Sequence, residues 1–247
     1  MEMMMVGSRT NLEILRDYVR EITEESSQEI CETNLTKIKE TCQNIEKVGI
    51  TPYEYSAILY EGFKNSYEYS TKTSIVFAKH FLKEITENFE DFEDDYKAEI
   101  IDQVFNIQVK ANKRKTFDRL NRWKTNKQSS KFYNTVQQRV HNNPHCYTNM
   151  IENLTASKNA PTDQVITAYA TGLVKRVENL SPNELESSKI EFLDHKTKVY
   201  DNQFKRFKKE TAESLERYSK FSTKSEYQAY YAVRLAEKIL NKHLCIE

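Results

Sequence analysis

Only 4 glycines and 4 prolines punctuate this chain of 247 residues. Folds made of many short strands need a tight turn every few residues, and tight turns draw on these two residue types. The chain cannot supply them. Gly7, Gly49, Gly62 and Gly172 also lie too far apart to build a glycine-rich phosphate loop. Long helices remain. With 38% hydrophobic and 30% charged residues, the composition suits helices that bury one apolar stripe and solvate the opposite face. The expected fold class is all-α. Charged side chains are so common that no nucleophile–base set or carboxylate pair stands apart, so no enzyme and no cofactor is expected.

The ends and the cysteines bear on compartment. The stretch Met1–Val6 is too short for a signal-peptide core, and no run approaches the roughly 18 apolar residues of a membrane helix. Cys31, Cys42, Cys146 and Cys245 form no CxxC pair, which argues against a zinc cluster or a secreted disulfide framework. Cys245 stands third from the last residue, where a prenylation box needs the fourth. A nuclear protein is expected, with the cytoplasm as the alternative, and the sequon Asn34-Leu35-Thr36 then carries no meaning.

Helix starts are marked by capping boxes, in which Ser or Thr and a Glu three places on satisfy each other's amides. Thr10/Glu13, Ser26/Glu29, Thr51/Glu54, Ser181/Glu184 and Thr223/Glu226 fit this pattern, and Pro52 and Pro182 stand at first helical positions. Apolar residues step by three and four through Leu12, Leu15, Val19, Ile22; Ile58, Leu59, Phe63; and Ile75, Val76, Phe77, Phe81, Leu82, Ile85. The pattern continues through Tyr96, Ile100, Val104, Ile107, then Phe117, Leu120, Trp123, then Phe132, Val136, Val140. About seven helices are predicted before residue 143.

Asn and Pro then accumulate from His141 to Asp163, which reads as a linker over 143–162 with at most a short helical turn around Met150, Ile151 and Leu154. Beyond it, over 163–244, Val165, Tyr169, Leu173, Val177, Leu180 form one stripe. Ile190, Leu193, Tyr200, Phe204, Phe207 and Leu215 form a second at coiled-coil spacing. The last helix offers Tyr230, Val233, Ala236 and Leu240. Aromatics and threonine in this seam suit a helical hairpin or bundle as well as a two-stranded coil. The second stripe is the expected dimerisation surface of a homodimer.

The order of elements over 9–142, short paired helices with a very apolar fourth and a tryptophan in a late one, resembles a CID. That is the right-handed helical superhelix that binds the C-terminal repeat tail of RNA polymerase II. The whole chain is similar to nuclear pre-mRNA regulators that join an N-terminal CID to a C-terminal coiled coil. Ile75-Val76-Phe77-Ala78-Lys79-His80-Phe81-Leu82-Lys83-Glu84 fills the place of the family's fourth helix, and Arg119-Leu120-Asn121-Arg122-Trp123 that of its Arg-Leu-Leu-Asn-Ile-Trp, one residue shorter. The resemblance implies a non-enzymatic scaffold that reads a phosphorylated tail peptide for transcription or mRNA processing. The implied peptide- and phosphate-binding set is Ser27, Gln28, Val76, Lys79, His80, Lys83, Glu84, Arg119, Arg122 and Lys127. The family's tyrosine-binding Asp corresponds to His80, which could still accept a hydrogen bond when neutral, and a nearby Asn corresponds to Glu84, which would repel phosphate. The phosphoserine-binding Arg corresponds to Arg119, or, if Trp123 sets the register, its place falls on Asp118 and the contact is lost. Membrane-traffic adaptors of the VHS and ENTH type share much of this pattern, as would a structural subunit with a degenerate groove.

Charge adds an argument of its own within a chain whose 37 basic and 37 acidic residues cancel. From Gln103 to Val140 there are ten Lys and Arg against Asp118 alone, and from Glu84 to Asp102 nine Asp and Glu against Lys97 alone. Mutual neutralisation of neighbouring helices would absorb most of this, each exposed pair contributing about 0–1 kcal/mol. The sharper reading leaves Arg119, Arg122 and nearby lysines for phosphate, which guanidinium forks bind bidentately. Nucleic acid is a possible partner of the same surface. Trp123 is expected to be a core wedge, and the tyrosines half-buried residues whose hydroxyls reach water. His141, His145 and Cys146 have ligand spacing, but Asn142, Asn143 and Pro144 break the helix there, so no metal is expected.

Overall fold

The computed structural model describes residues 10–22, 31–44, 50–113, 119–154, 157, 159–179, 234, 236–238 and 241. The protein is all-α, with no strand among the described residues. Among the described residues, the helices whose bounds are set are α1 (Asn11–Glu21), α2 (Leu35–Gln43), α3 (Pro52–Tyr67), α4 (Thr71–Glu87), α5 (Asp94–Lys113), α6 (Arg119–Asn142), α7 (Thr148–Leu154) and α8 (Ala160–Glu178). Short 3-10 turns stand at Phe89–Asp91 and Pro144–Tyr147. Thr10/Glu13 and Thr51/Glu54 form complete capping boxes at α1 and α3, with Pro52 at the first position of α3. The other three predicted boxes, with Ser26, Ser181 and Thr223, lie outside the described residues, as do Ile190, Leu193, Tyr200, Phe204, Phe207 and Leu215.

The box at α3 yields a test. Thr51→Ala should cost about 1 kcal/mol in denaturant unfolding, the usual size of a lost N-cap. Hydrogen bonds from Thr51, backbone first and then side chain, hold the Glu54 carboxyl below its ordinary range. A depressed carboxyl contributes stability that is complete above its unfolded pKa and is lost as pH falls through the folded value. The gap between wild type and Thr51→Ala should therefore narrow in acid, and a gap that widened there would refute the capping account.

The chain divides into two compact units, Met1–Phe92 with Asn106–Ser129, and Glu93–Phe105 with Ser130–Glu247. In the first, α3 and α4 make the most extensive helix pairing among the described residues. Gly62 permits it, because a Cβ there would stand 2.6 Å from the Phe77 ring. Leu15, Ile22, Ile38, Leu59, Phe63, Phe77, Phe81 and Ile85 are fully buried. Tyr60 tilts against Phe81 at 5.4 Å between ring centroids. Tyrosine hydroxyls here do more than reach water: Tyr55 donates to the Cys42 carbonyl at 3.3 Å and Tyr67 to the Lys110 carbonyl at 3.1 Å. Each satisfies a helix carbonyl that has outrun its own ladder or has a spare lone pair.

In the second unit, Tyr133 donates to the Ile101 carbonyl at 3.1 Å. The segment 143–162 departs from the expected linker. It carries the second 3-10 turn and α7, and Pro144, Tyr147, Met150, Ile151 and Leu154 are buried. Three apolar side chains in seven residues suffice to seat a short helix, even where Asn and Pro dominate the composition. Asn159 then caps α8, its Oδ1 accepting from the Thr162 amide at 2.9 Å. The predicted stripe of Val165, Tyr169, Leu173 and Val177 is buried on α8. Gly172 of α8 lies directly against the His141 carbonyl of α6, with no room for a Cβ.

Candidate functional site

Helix α6 runs 24 residues without one Asp or Glu and carries Arg119, Arg122, Lys124, Lys127, Lys131 and Arg139. Its buried stripe is Thr125, Ser129, Phe132, Val136 and Val140. At 3.6 residues per turn, Trp123 lies about 180° around the helix from Phe132, and it is 55% exposed. The expected core wedge is therefore a surface side chain. Leu120 beside it is 57% exposed. The polar Thr125 and Ser129 occupy the inward positions instead, so the apolar residues of the first half of α6 fall on its outer face.

Arg119, Lys124 and Lys127 are exposed around this pair. Lys127 places its ammonium 5.0 Å from the Trp123 ring centroid. Arg119, Lys124, Lys127 and Lys131 make no ion pair among the described residues. Within the acidic stretch, Lys97 pairs with Asp94 inside α5 at 3.3 Å. Arg122 is half-buried. Asp118 lies outside the described residues, and with it the alternative register for Arg119.

Helix α4 presents the other implied residues in two groups. Lys79 and Lys83, one turn apart, are exposed, and His80 beside them is half-buried. Burial, then the charges of Lys79 and Lys83, push the His80 imidazole below its ordinary pKa. It is neutral at physiological pH and keeps an acceptor nitrogen. Val76 and Glu84 belong to the inner face, Glu84 being 3% exposed. Its carboxylate accepts from Asn88 Nδ2 at 2.8 Å. These two cannot line an open ligand groove, and Glu84 is withdrawn from any phosphate on the outer face. Ser27 and Gln28 lie outside the described residues.

Two features of the second unit had no forewarning. Asp102 of α5 accepts from Ser157 Oγ at 2.7 Å and from Asn159 Nδ2 at 2.5 Å, and Asn159 in turn accepts from the Thr162 hydroxyl at 3.0 Å. An open cleft of about 350 Å³ is lined by Asn134, Gln137, Gln138, His141, Asn142, Ala168 and Thr171. Gln137 donates to Gln164 Oε1 at 3.1 Å, and His141 Nδ1 lies 3.2 Å from Thr171 Oγ1. Among the described residues no three His, Cys, Asp or Glu side chains gather as a metal site, and no helix is long and apolar enough to cross a membrane.

No protein-family model matches the chain, and no curated protein or solved structure resembles it at a significant level.

Proposed function

We propose that this chain is a non-enzymatic interaction scaffold that takes an acidic, phosphorylated peptide on the first half of α6. The observation that carries this reading is the exposure of Leu120 and Trp123 among Arg119, Lys124 and Lys127 on a helix without acid. Exposed apolar side chains rimmed by cations mark an interaction surface rather than a solvated face. The resemblance to the CID family makes the phosphorylated repeat tail of RNA polymerase II the ligand to try first, in a nuclear role that links the polymerase to RNA processing. The inward turn of Glu84 and the neutral His80 remove two objections to phosphate and tyrosine contacts. Self-association through the C-terminal helices belongs to the same reading.

The test is calorimetry of the full chain with phosphorylated and unphosphorylated tail peptides. A fragment ending at 142 would remove α8, whose Gly172 lies against α6. The phosphorylated peptide should bind more tightly, and Arg119→Ala should remove about 1.5–3 kcal/mol of that preference. Equal, weak binding of both peptides by wild type and variant would sink the reading. Binding to anionic vesicles in its place, lost on charge reversal at Lys113, would favour the membrane-adaptor class.

A further inference from the structure

The cleft between the second half of α6 and α8 is polar without being charged. Seven described residues line it, and none is Asp, Glu, Lys or Arg, in a chain where such residues make up 30%. All but Ala168 carry a side chain that can both donate and accept a hydrogen bond. Gln137 and His141, one turn apart, already reach across to Gln164 and Thr171 of α8. Asn134, Gln138 and Asn142 are exposed, and among the described residues their carboxamides have no hydrogen-bond partner. These three stand at four-residue steps, so they form one ridge inclined about 26° to the helix axis. Each step along it advances about 6 Å.

We infer that this ridge takes an extended, uncharged peptide segment and reads its main chain. An extended chain turns the N–H and C=O of every second residue to the same edge, so one edge repeats that pair at roughly 6.4–6.8 Å. The carboxamide ridge repeats at nearly the same interval. Each carboxamide holds an acceptor oxygen and an amide donor side by side, and so accepts from the N–H and donates to the C=O of one residue on that edge. Asn134, Gln138 and Asn142 together engage the first, third and fifth residues of a short strand. A charged side chain entering the cleft would shed water without meeting a counter-ion among the lining residues, which selects an uncharged segment. A sugar ring would find no Trp, Tyr or Phe face among them. The site shares no residue with the phosphopeptide surface, so the two readings stand or fall separately.

The probe is acetyl-Thr-Ser-Thr-Ser-Thr-Ser-amide, which is uncharged and rich in a β-branched residue that favours extended backbone. Titrated into the full chain, it should move the side-chain amide signals of Asn134, Gln138 and Asn142 in heteronuclear NMR spectra, each signal being assigned by its loss in the matching alanine variant. An analogue with ester oxygens in place of its backbone N–H groups keeps the shape and loses the donors. It should bind about tenfold or more weakly, since each of three lost neutral hydrogen bonds is worth roughly two- to tenfold. Gln138→Ala, at an exposed position that leaves the fold intact by circular dichroism, should weaken the hexapeptide about fourfold or more, through the two bonds of the central carboxamide. Peptide and ester of equal affinity would overturn the inference, as would three amide signals that stay in place at millimolar peptide. Glucose moving those signals where the hexapeptide does not would assign the cleft to a polyhydroxyl ligand and overturn it too.

Discussion

Gly172→Ala is expected to lower the thermal midpoint by roughly 2–12 °C, from an overpacking cost of about 1–3 kcal/mol in a chain of this size. The sign is the informative part. Alanine is the better helix former by about 0.8–1 kcal/mol, so an α8 exposed at this position would gain stability from the change. Here the added Cβ meets the main-chain carbonyl of His141, which cannot rotate aside as a flexible side chain would. The two helices must separate, and the cleft lined by His141, Ala168 and Thr171 would widen with them. A variant more stable than wild type in the same scan would show that α6 and α8 do not approach this closely.

Asp102→Ala is expected to cost about 3 kcal/mol, because two donors lose a charged acceptor and each such bond contributes about 1.5–3 kcal/mol before relaxation. Ser157 and Asn159 would each lose that acceptor. The cap of α8 depends on Asn159, so the damage should spread to the start of that helix. Limited proteolysis supplies a second readout. The wild type should resist cleavage from Pro144 to Leu154, where Pro144, Tyr147, Met150, Ile151 and Leu154 are buried, and the variant should become susceptible between Leu154 and Ala160. Rapid cleavage of the wild type at Pro144–Leu154 would restore the linker reading of this segment. Unchanged stability of the variant would show that the Asp102 bonds exchange freely with water.

The helices were legible because their signals are local. Thr10/Glu13 and Thr51/Glu54 announce α1 and α3 through groups three residues apart, and the stripe from Ile75 to Ile85 announces α4 through its own periodicity. Starts without an acidic partner escaped: Ser70 caps α4 alone, accepting from the Thr73 amide, and Asn159 caps α8 from within a stretch read as loop. Trp123 was misplaced for a different reason. Leu120 and Trp123 keep helical spacing with each other, and only their phase relative to Phe132 shows that they point outward. Thr125 and Ser129, small and polar, hide the true inward face. The cations Arg119 and Lys127 were visible in the sequence, but their exposure beside Trp123 depends on which face of α6 is buried. Asp102, Ser157 and Asn159 could not be joined from sequence at all, since nothing local links residues so far apart.

That last separation has a consequence for the growing chain. Helices α3 and α4 are neighbours in sequence and can pair as soon as both have emerged. Asp102, by contrast, must wait for Ser157, 55 residues later. At ribosomal rates of about 5–20 residues per second the wait is roughly 3–11 s, far longer than a helix needs to form. During that interval α5 exists with its acidic side chain unclasped, and the start of α8 has no anchor until synthesis has passed it. The Asp102 clasp therefore cannot form until well after α3 and α4 are free to pair.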